Sequence, residues 1–189
     1  MLAFKIDNEN KRGKVQSVPI PQPKPGEALI RVLRAGVCNT DLEIQMGYMG
    51  FQGILGHEFV GVVDSVANAE DIEHSKWIGK RVCGDINLGC KSCGVCDLKS
   101  DRSRNHCPNR TVLGILNKDG TMSEYLTLPV CNLHEVPHDV SDEEAIFTEP
   151  LAAACRIVEQ GLVNPFTNKV ANETINFLVW LSLHQYSTV

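Results

Sequence analysis

Along the first third of the chain, apolar and polar positions alternate with the period of two that marks β-strands. Phe4 and Ile6, then Val15 and Val18, flank a polar stretch at Asp7–Gly13, the pattern of a hairpin. Pro19, Pro21, Pro23 and Pro25 predict an extended connection poor in backbone donors. The next strand is Ala28-Leu29-Ile30-Arg31-Val32-Leu33, ending at Gly36. Gly47, Gly50, Gly53 and Gly56 recur every third residue but lack the G-x-G-x-x-G order of a phosphate loop, so 47–56 reads as a flexible loop. Phe59-Val60-Gly61-Val62-Val63 and Arg81-Val82-Cys83 read as buried strands, residues 84–110 as loop, and Tyr125-Leu126-Thr127-Leu128 as a further strand ending at Pro129.

The pattern changes at Ser141-Asp142-Glu143-Glu144, a capping box that predicts a helix start. Pro150 should bend or restart that helix, which should continue over Leu151–Gln160 and stop at Gly161. The expected fold class is therefore mainly β with short helices and a C-terminal helical segment.

Composition narrows the function classes. A hydrophobic fraction of 43% and a charged fraction of 22% over 189 residues describe an ordinary globular chain, long enough for a real core. The net charge of −5 is spread without runs of either sign, so neither nucleic acid nor a membrane surface is expected as a partner. The N-terminus lacks the basic-then-apolar order of a secretory signal, and the apolar stretch from Ile175 to Leu183 is too short to span a bilayer. A cytoplasmic, reducing location is expected, where the eight cysteines serve as metal ligands or buried thiols and not as disulfides.

Two constellations carry chemistry. Cys90, Cys93 and Cys96 form C-x-x-C-x-x-C, with Cys107 following; four thiolates make a closed tetrahedral zinc site that holds a loop and performs no reaction. Ten residues separate Cys107 from Cys96, and His106 beside it offers a nitrogen ligand instead. The second set is dispersed: Cys38 follows a strand, His57 and Glu58 precede one, and Glu149 lies near the helical segment. One thiolate, one imidazole and one carboxylate leave a fourth position for water or substrate, as catalytic zinc requires.

These landmarks resemble the zinc-containing medium-chain alcohol dehydrogenase family, in its sorbitol and threonine dehydrogenase-like branch. The matching stretches are G-V-C-N-T-D at 36–41, G-H-E at 56–58, the cysteine lobe at 90–107, D-G-T-M-S-E-Y at 119–125 and E-P-L at 149–151, in the family's order. Alcohol dehydrogenase is a standing example of Cys/His zinc ligation. The resemblance implies a GroES-like β-barrel domain carrying two zinc ions, one catalytic and one structural. It implies Cys38, His57 and Glu149 as ligands of the catalytic zinc, and Cys90, Cys93, Cys96 and Cys107 around the structural one. Glu58 is implied as an exchanging ligand, Asp41 as the acceptor that orients His57, and Thr40 as the group passing the alcohol proton toward solvent. The implied reaction is hydride transfer between a small alcohol or polyol and NAD or NADP, with zinc as Lewis acid. Quaternary state, homo- or hetero-oligomeric, is left open.

The expected domain plan is residues 1–150 as the zinc-binding domain, 151–171 as a helix and linker, and 172–189 as a divergent tail. No glycine follows Gly161, and residues 172–189 are too few for one βαβ unit of about 30 residues, so no complete Rossmann domain is expected. The expectation that follows is a shortened product with intact zinc ligation and no dehydrogenase activity alone. The alternative is a non-catalytic zinc-binding module or a regulatory truncated isoform.

Overall fold

The computed structural model describes residues 1–7, 12–68, 71–93, 95–96, 105–159, 163–164 and 169–170. It divides into two compact units, Met1–Ile146 and Phe147–Val189. In the first, β1 (Leu2–Ile6) pairs antiparallel with β2 (Lys14–Ser17), Phe4 standing opposite Val15. β3 (Glu27–Ala35) leads into α1 (Asn39–Gln45) and a 3-10 turn at Tyr48–Gly50. β4 (Gly53–Ile54) then adds to the other edge of β1, giving the order β2-β1-β4. The expectation of a flexible loop over 47–56 is thus corrected. Part of that stretch is a strand, and its chain path is fixed by backbone bonds such as that from the Leu55 N–H to the Phe4 carbonyl at 3.3 Å.

β5 (Phe59–Val66), α2 (Ile72–Ser75), β6 (Arg81–Gly84) and β7 (Asn87–Leu88) follow. Then come β8 (Thr111–Leu113), β9 (Asn117–Lys118), β10 (Tyr125–Pro129) and β11 (Leu133–Glu135). The main sheet is antiparallel with order β10-β3-β5-β6-β11. Its inner face supplies Ala28, Ile30, Phe59, Val63, Val82, Leu126, Leu128 and Leu133 to the largest core, with Leu113 and Leu88 from the small β7-β8-β9 sheet. Alternation along β6 turns Val82 to this core and Cys83 to the other face, where it meets Val60, Val136 and Ala145. A third cluster, Ile6, Ile44, Phe51 and Leu55, seats α1 on the smaller β1 sheet.

The capping box forms: the Glu144 N–H donates to Ser141 Oγ at 3.2 Å and the Ser141 N–H to Glu144 Oε2 at 2.9 Å, opening α3 (Asp142–Ala145). The second unit begins with α4 (Thr148–Glu159). The break between the helices falls before Pro150, not at it. Pro150 sits in the first turn of α4, where its missing N–H has no intrahelical partner to lose. Beyond α4, β12 (Val163–Asn164) pairs antiparallel with β13 (Lys169–Val170). Gly161 and the tail 172–189 lie outside the described residues. Among the described residues there is no doubly wound parallel sheet; the one parallel pairing is β8 with β9.

Candidate metal centres

The register of the main sheet brings the first constellation together. Ala35, the last residue of β3, stands opposite Phe59, the first of β5. The segment leaving β3 and the segment entering β5 therefore run side by side, and the Gly36 N–H donates to the Glu58 carbonyl at 3.0 Å. Cys38 lies just beyond one strand end and His57 and Glu58 just before the other, so residues about twenty apart in sequence share a site. Gly36 leaves room for the Glu58 carboxylate: a Cβ there would come within 2.1 Å of Glu58 Oε2 and force that side chain to shift.

The thiol of Cys38, the imidazole of His57 and the carboxylate of Glu58 each offer a donor atom, all within 4.8 Å of one another. His57 and Glu58 are buried and Cys38 half-buried. Thr40 Oγ1 lies 3.6 Å from Cys38 Sγ. Asp41 is fully buried at the third position of α1. Its Oδ2 accepts from the Cys38 N–H at 2.9 Å and its Oδ1 from the Gly56 N–H at 3.1 Å. One carboxylate thus pins the backbone beside both prospective ligands. The same Oδ1 stands 3.5 Å from His57 Nδ1, a close charge contact longer than a good hydrogen bond. It turns Nδ1 inward and leaves Nε2 for a ligand role.

The electrostatics follow from this packing. Burial works against a charged His57, but Asp41 and the Cys38 thiol outweigh it and raise its pKa to about 10. The His57 hydrogen bond lowers the Cys38 pKa against the opposing effect of burial. A cation bound by this pair competes with the imidazole proton, so its uptake releases protons.

The second constellation is a compact knot of sulfur. Sγ–Sγ separations are 3.6 Å for Cys90–Cys96, 3.3 Å for Cys93–Cys96 and 3.7 Å for Cys93–Cys107. Four sulfurs about 2.3 Å from a central zinc would stand ~3.8 Å apart, so the knot is close to zinc dimensions. Backbone N–H groups point into it: Lys91 to Cys96 Sγ at 3.2 Å, Cys96 to Cys93 Sγ at 3.4 Å and Cys90 to Cys107 Sγ at 3.4 Å. Such donors favour thiolate over thiol. Hydrogen bonds from Ser92 bring the Cys90 pKa down to about 5. Of the two fourth-ligand alternatives, Cys107 is buried in the knot and His106 is exposed.

Glu149 lies on α4, in the second unit. The landmark D-G-T-M-S-E-Y at 119–125, to which the sequence assigns no role, supplies the frame behind Cys38, His57 and Glu58. The Gly120 N–H donates to the Ile54 carbonyl at 2.8 Å, the Thr121 N–H to the Gly56 carbonyl at 3.0 Å and the Met122 N–H to the Leu55 carbonyl at 2.8 Å. Asp119 Oδ1 accepts from the Ile54 N–H at 2.9 Å. The stretch D-G-T-M therefore acts as a strut against the chain entering the site. Gly114 and Gly120 are packed so closely on it that a Cβ would lie 2.0 and 2.2 Å from the Gly56 carbonyl oxygen.

Residues 24–138 match the alcohol dehydrogenase GroES-like domain, and the chain belongs to that family. Among curated relatives, it is 33% identical over 164 residues to starvation-sensing protein RspB of Escherichia coli, covering 85% of this chain and 46% of that one. It is 40% identical over 143 residues to an L-threonine 3-dehydrogenase of Streptomyces avermitilis, covering 70% of this chain and 39% of the relative. A crystal structure of an Escherichia coli short chain alcohol dehydrogenase (rspB) complexed with NADH superposes with a TM-score of 0.75 at 30% identity, over 87% of this chain and 46% of that one. The chain spans less than half the length of these relatives. No helix among the described residues is long and apolar enough to cross a membrane.

Proposed function

We propose that this chain is the zinc-binding, catalytic portion of a zinc-dependent alcohol or polyol dehydrogenase. The observation that carries the reading is the mixed donor set: Cys38, His57 and Glu58, with ligand atoms within 4.8 Å of one another. Thiolate, imidazole and carboxylate suit zinc, and three protein ligands leave a coordination position open. Zinc held there would supply Lewis acidity toward a substrate hydroxyl or carbonyl oxygen.

The chain's own residues divide the remaining work. Cys38 and His57 hold the ion, and Glu58 is an exchanging ligand. Asp41 fixes the ligand backbone and the orientation of the His57 ring. Thr40 Oγ1, 3.6 Å from the Cys38 sulfur, is placed to take the hydroxyl proton of an alcohol and pass it outward. The Cys90, Cys93, Cys96 and Cys107 knot holds a second, structural zinc. The hydride partner is NAD or NADP, which in this architecture needs a nucleotide-binding turn at a helix N-terminus. Among the described residues there is none; the reading proposed for this chain by itself is zinc binding without turnover of substrate.

Cobalt in place of zinc tests the open position. The visible spectrum of the cobalt-loaded chain should shift on adding a small alcohol, and the shift should vanish in Cys38→Ala. A spectrum indifferent to alcohol at every concentration contradicts an open catalytic site. Alcohol oxidation by the chain with NAD or NADP would contradict its inactivity alone.

A further inference from the structure

The bonds around His57 single out a second residue besides Asp41. Thr121 is fully buried. Its N–H donates to the Gly56 carbonyl at 3.0 Å and its Oγ1 to the Glu58 carbonyl at 3.3 Å. It therefore grips the main chain both before and after His57 in sequence, while Asp41 accepts from the Gly56 N–H at 3.1 Å. The fit is tight. Gly56 has φ +94°, and a Cβ on it would lie 2.3 Å from Thr121 Oγ1. The hydroxyl thus occupies the space that the absent Gly56 side chain leaves. The strut that carries Thr121 is itself held to the segment before His57 by the Gly120 and Met122 amides, at 2.8 Å each.

We propose that Thr121 is a positioning residue for the mixed metal site, fixing the His57–Glu58 main chain so that imidazole and carboxylate meet the Cys38 sulfur without reorganisation on metal binding. The inference rests on the reading of Cys38, His57 and Glu58 as a metal site. The side chain acts through the Glu58 carbonyl, and the bond to the Gly56 carbonyl is made by the Thr121 N–H and is kept in every variant. Its hydroxyl is not needed to satisfy the Glu58 carbonyl, which also accepts from the Gly36 N–H at 3.0 Å. Removing the hydroxyl therefore loosens the segment without stranding a buried acceptor, so the chain should still fold. Loss of a supporting contact behind a metal ligand typically weakens metal binding by about 10–100-fold.

The test is cobalt titration of the full chain, with Cys38→Ala defining which part of the visible spectrum belongs to the mixed site. Thr121→Val and Thr121→Ala should each weaken cobalt binding there by about tenfold or more and alter its bands. Thr121→Ser, which keeps the hydroxyl, should retain the wild-type affinity and spectrum. The four-cysteine component should not move in any of the three. If Thr121→Val fails to fold, the Ala and Ser pair decides. Unchanged affinity and spectrum in folded Val and Ala variants, or equal losses in Ser and Ala, overturn the proposal. If wild type has no spectral component that Cys38→Ala removes, the metal reading itself falls, a result separable from failure of Thr121 alone.

Discussion

Replacing Asp41 by asparagine separates two roles that a single carboxylate combines. Both oxygens accept backbone N–H groups, from Cys38 at 2.9 Å and Gly56 at 3.1 Å, in a fully buried position. Asparagine keeps one acceptor and turns an NH2 toward the other N–H. One hydrogen bond to a charged acceptor is lost, about 1.5–3 kcal/mol, and a buried donor faces another donor for about 1 kcal/mol or more. The variant should therefore lose roughly 3–5 kcal/mol, a large part of the ~5–15 kcal/mol that holds a typical domain. The assay is urea denaturation followed by far-ultraviolet circular dichroism, with chelator and reductant present so that metal affinity does not enter. The part of that cost carried by the two backbone bonds should persist in a His57→Gln background, while the part carried by the Asp41–His57 charge contact should not. An Asp41→Asn variant within about 0.5 kcal/mol of wild type, or a cost that disappears once His57 is replaced, would refute the backbone-clamp reasoning.

Gly114→Ala should destabilise by about 3–5 kcal/mol or prevent folding, since φ is +66° and the new Cβ would lie 2.0 Å from the Gly56 carbonyl oxygen; thermal melts measure it. Leu113→Ala, at a fully buried core position, should cost about 2–5 kcal/mol in the same urea assay. Glu144→Gln tests the α3 cap. Hydrogen bonds from the Ser141 N–H and hydroxyl hold the Glu144 carboxyl below its ordinary 4.5, so its contribution is present above that value and lost as pH falls through the folded pKa. The wild-type advantage over Glu144→Gln at neutral pH should accordingly shrink in melts run well below pH 4.5. Stripping metal with a chelator should speed amide exchange at Cys90, Cys93, Cys96 and Cys107 while leaving β3 and β5 protected, because none of the four cysteines belongs to the described apolar clusters that hold those strands.

What the sequence could show depended on how each element is stabilised. β3, β5, β6 and β10 bury regular side-chain patterns, so their apolar runs at Ala28–Leu33, Phe59–Val63, Arg81–Cys83 and Tyr125–Leu128 were visible. α1 was not. Its seven residues turn Ile44 inward while Leu42 is 49% exposed, too short a stretch to display a helical period. β4 and β7 are two-residue strands fixed by neighbours distant in sequence, and β9, also of two residues, is too short to show a period. The glycines around 47–56 suggested looseness. Gly53 and Gly56 instead have positive φ and sit against Asp119 and Thr121, so close approach is what they serve. The donor residues of both sites could be picked out because their side-chain chemistry is rare and clustered. Thr121 falls within the quoted D-G-T-M-S-E-Y stretch, but its part could not be told, because its hydroxyl and N–H bond carbonyls 63 and 65 residues away in sequence, which no local pattern records. Cys107 against His106 was undecidable from spacing, and burial of the Cys107 sulfur among the other three separates them.

The central claim is that one chain builds two separate zinc sites of different character, a mixed site around Cys38 and His57 and a closed four-sulfur site. The most direct measurement is zinc content per folded chain by elemental analysis, for wild type, Cys38→Ala and Cys93→Ala. The account predicts two zinc ions in wild type and one in each variant. A single zinc ion in wild type, unchanged by Cys38→Ala, would contradict it.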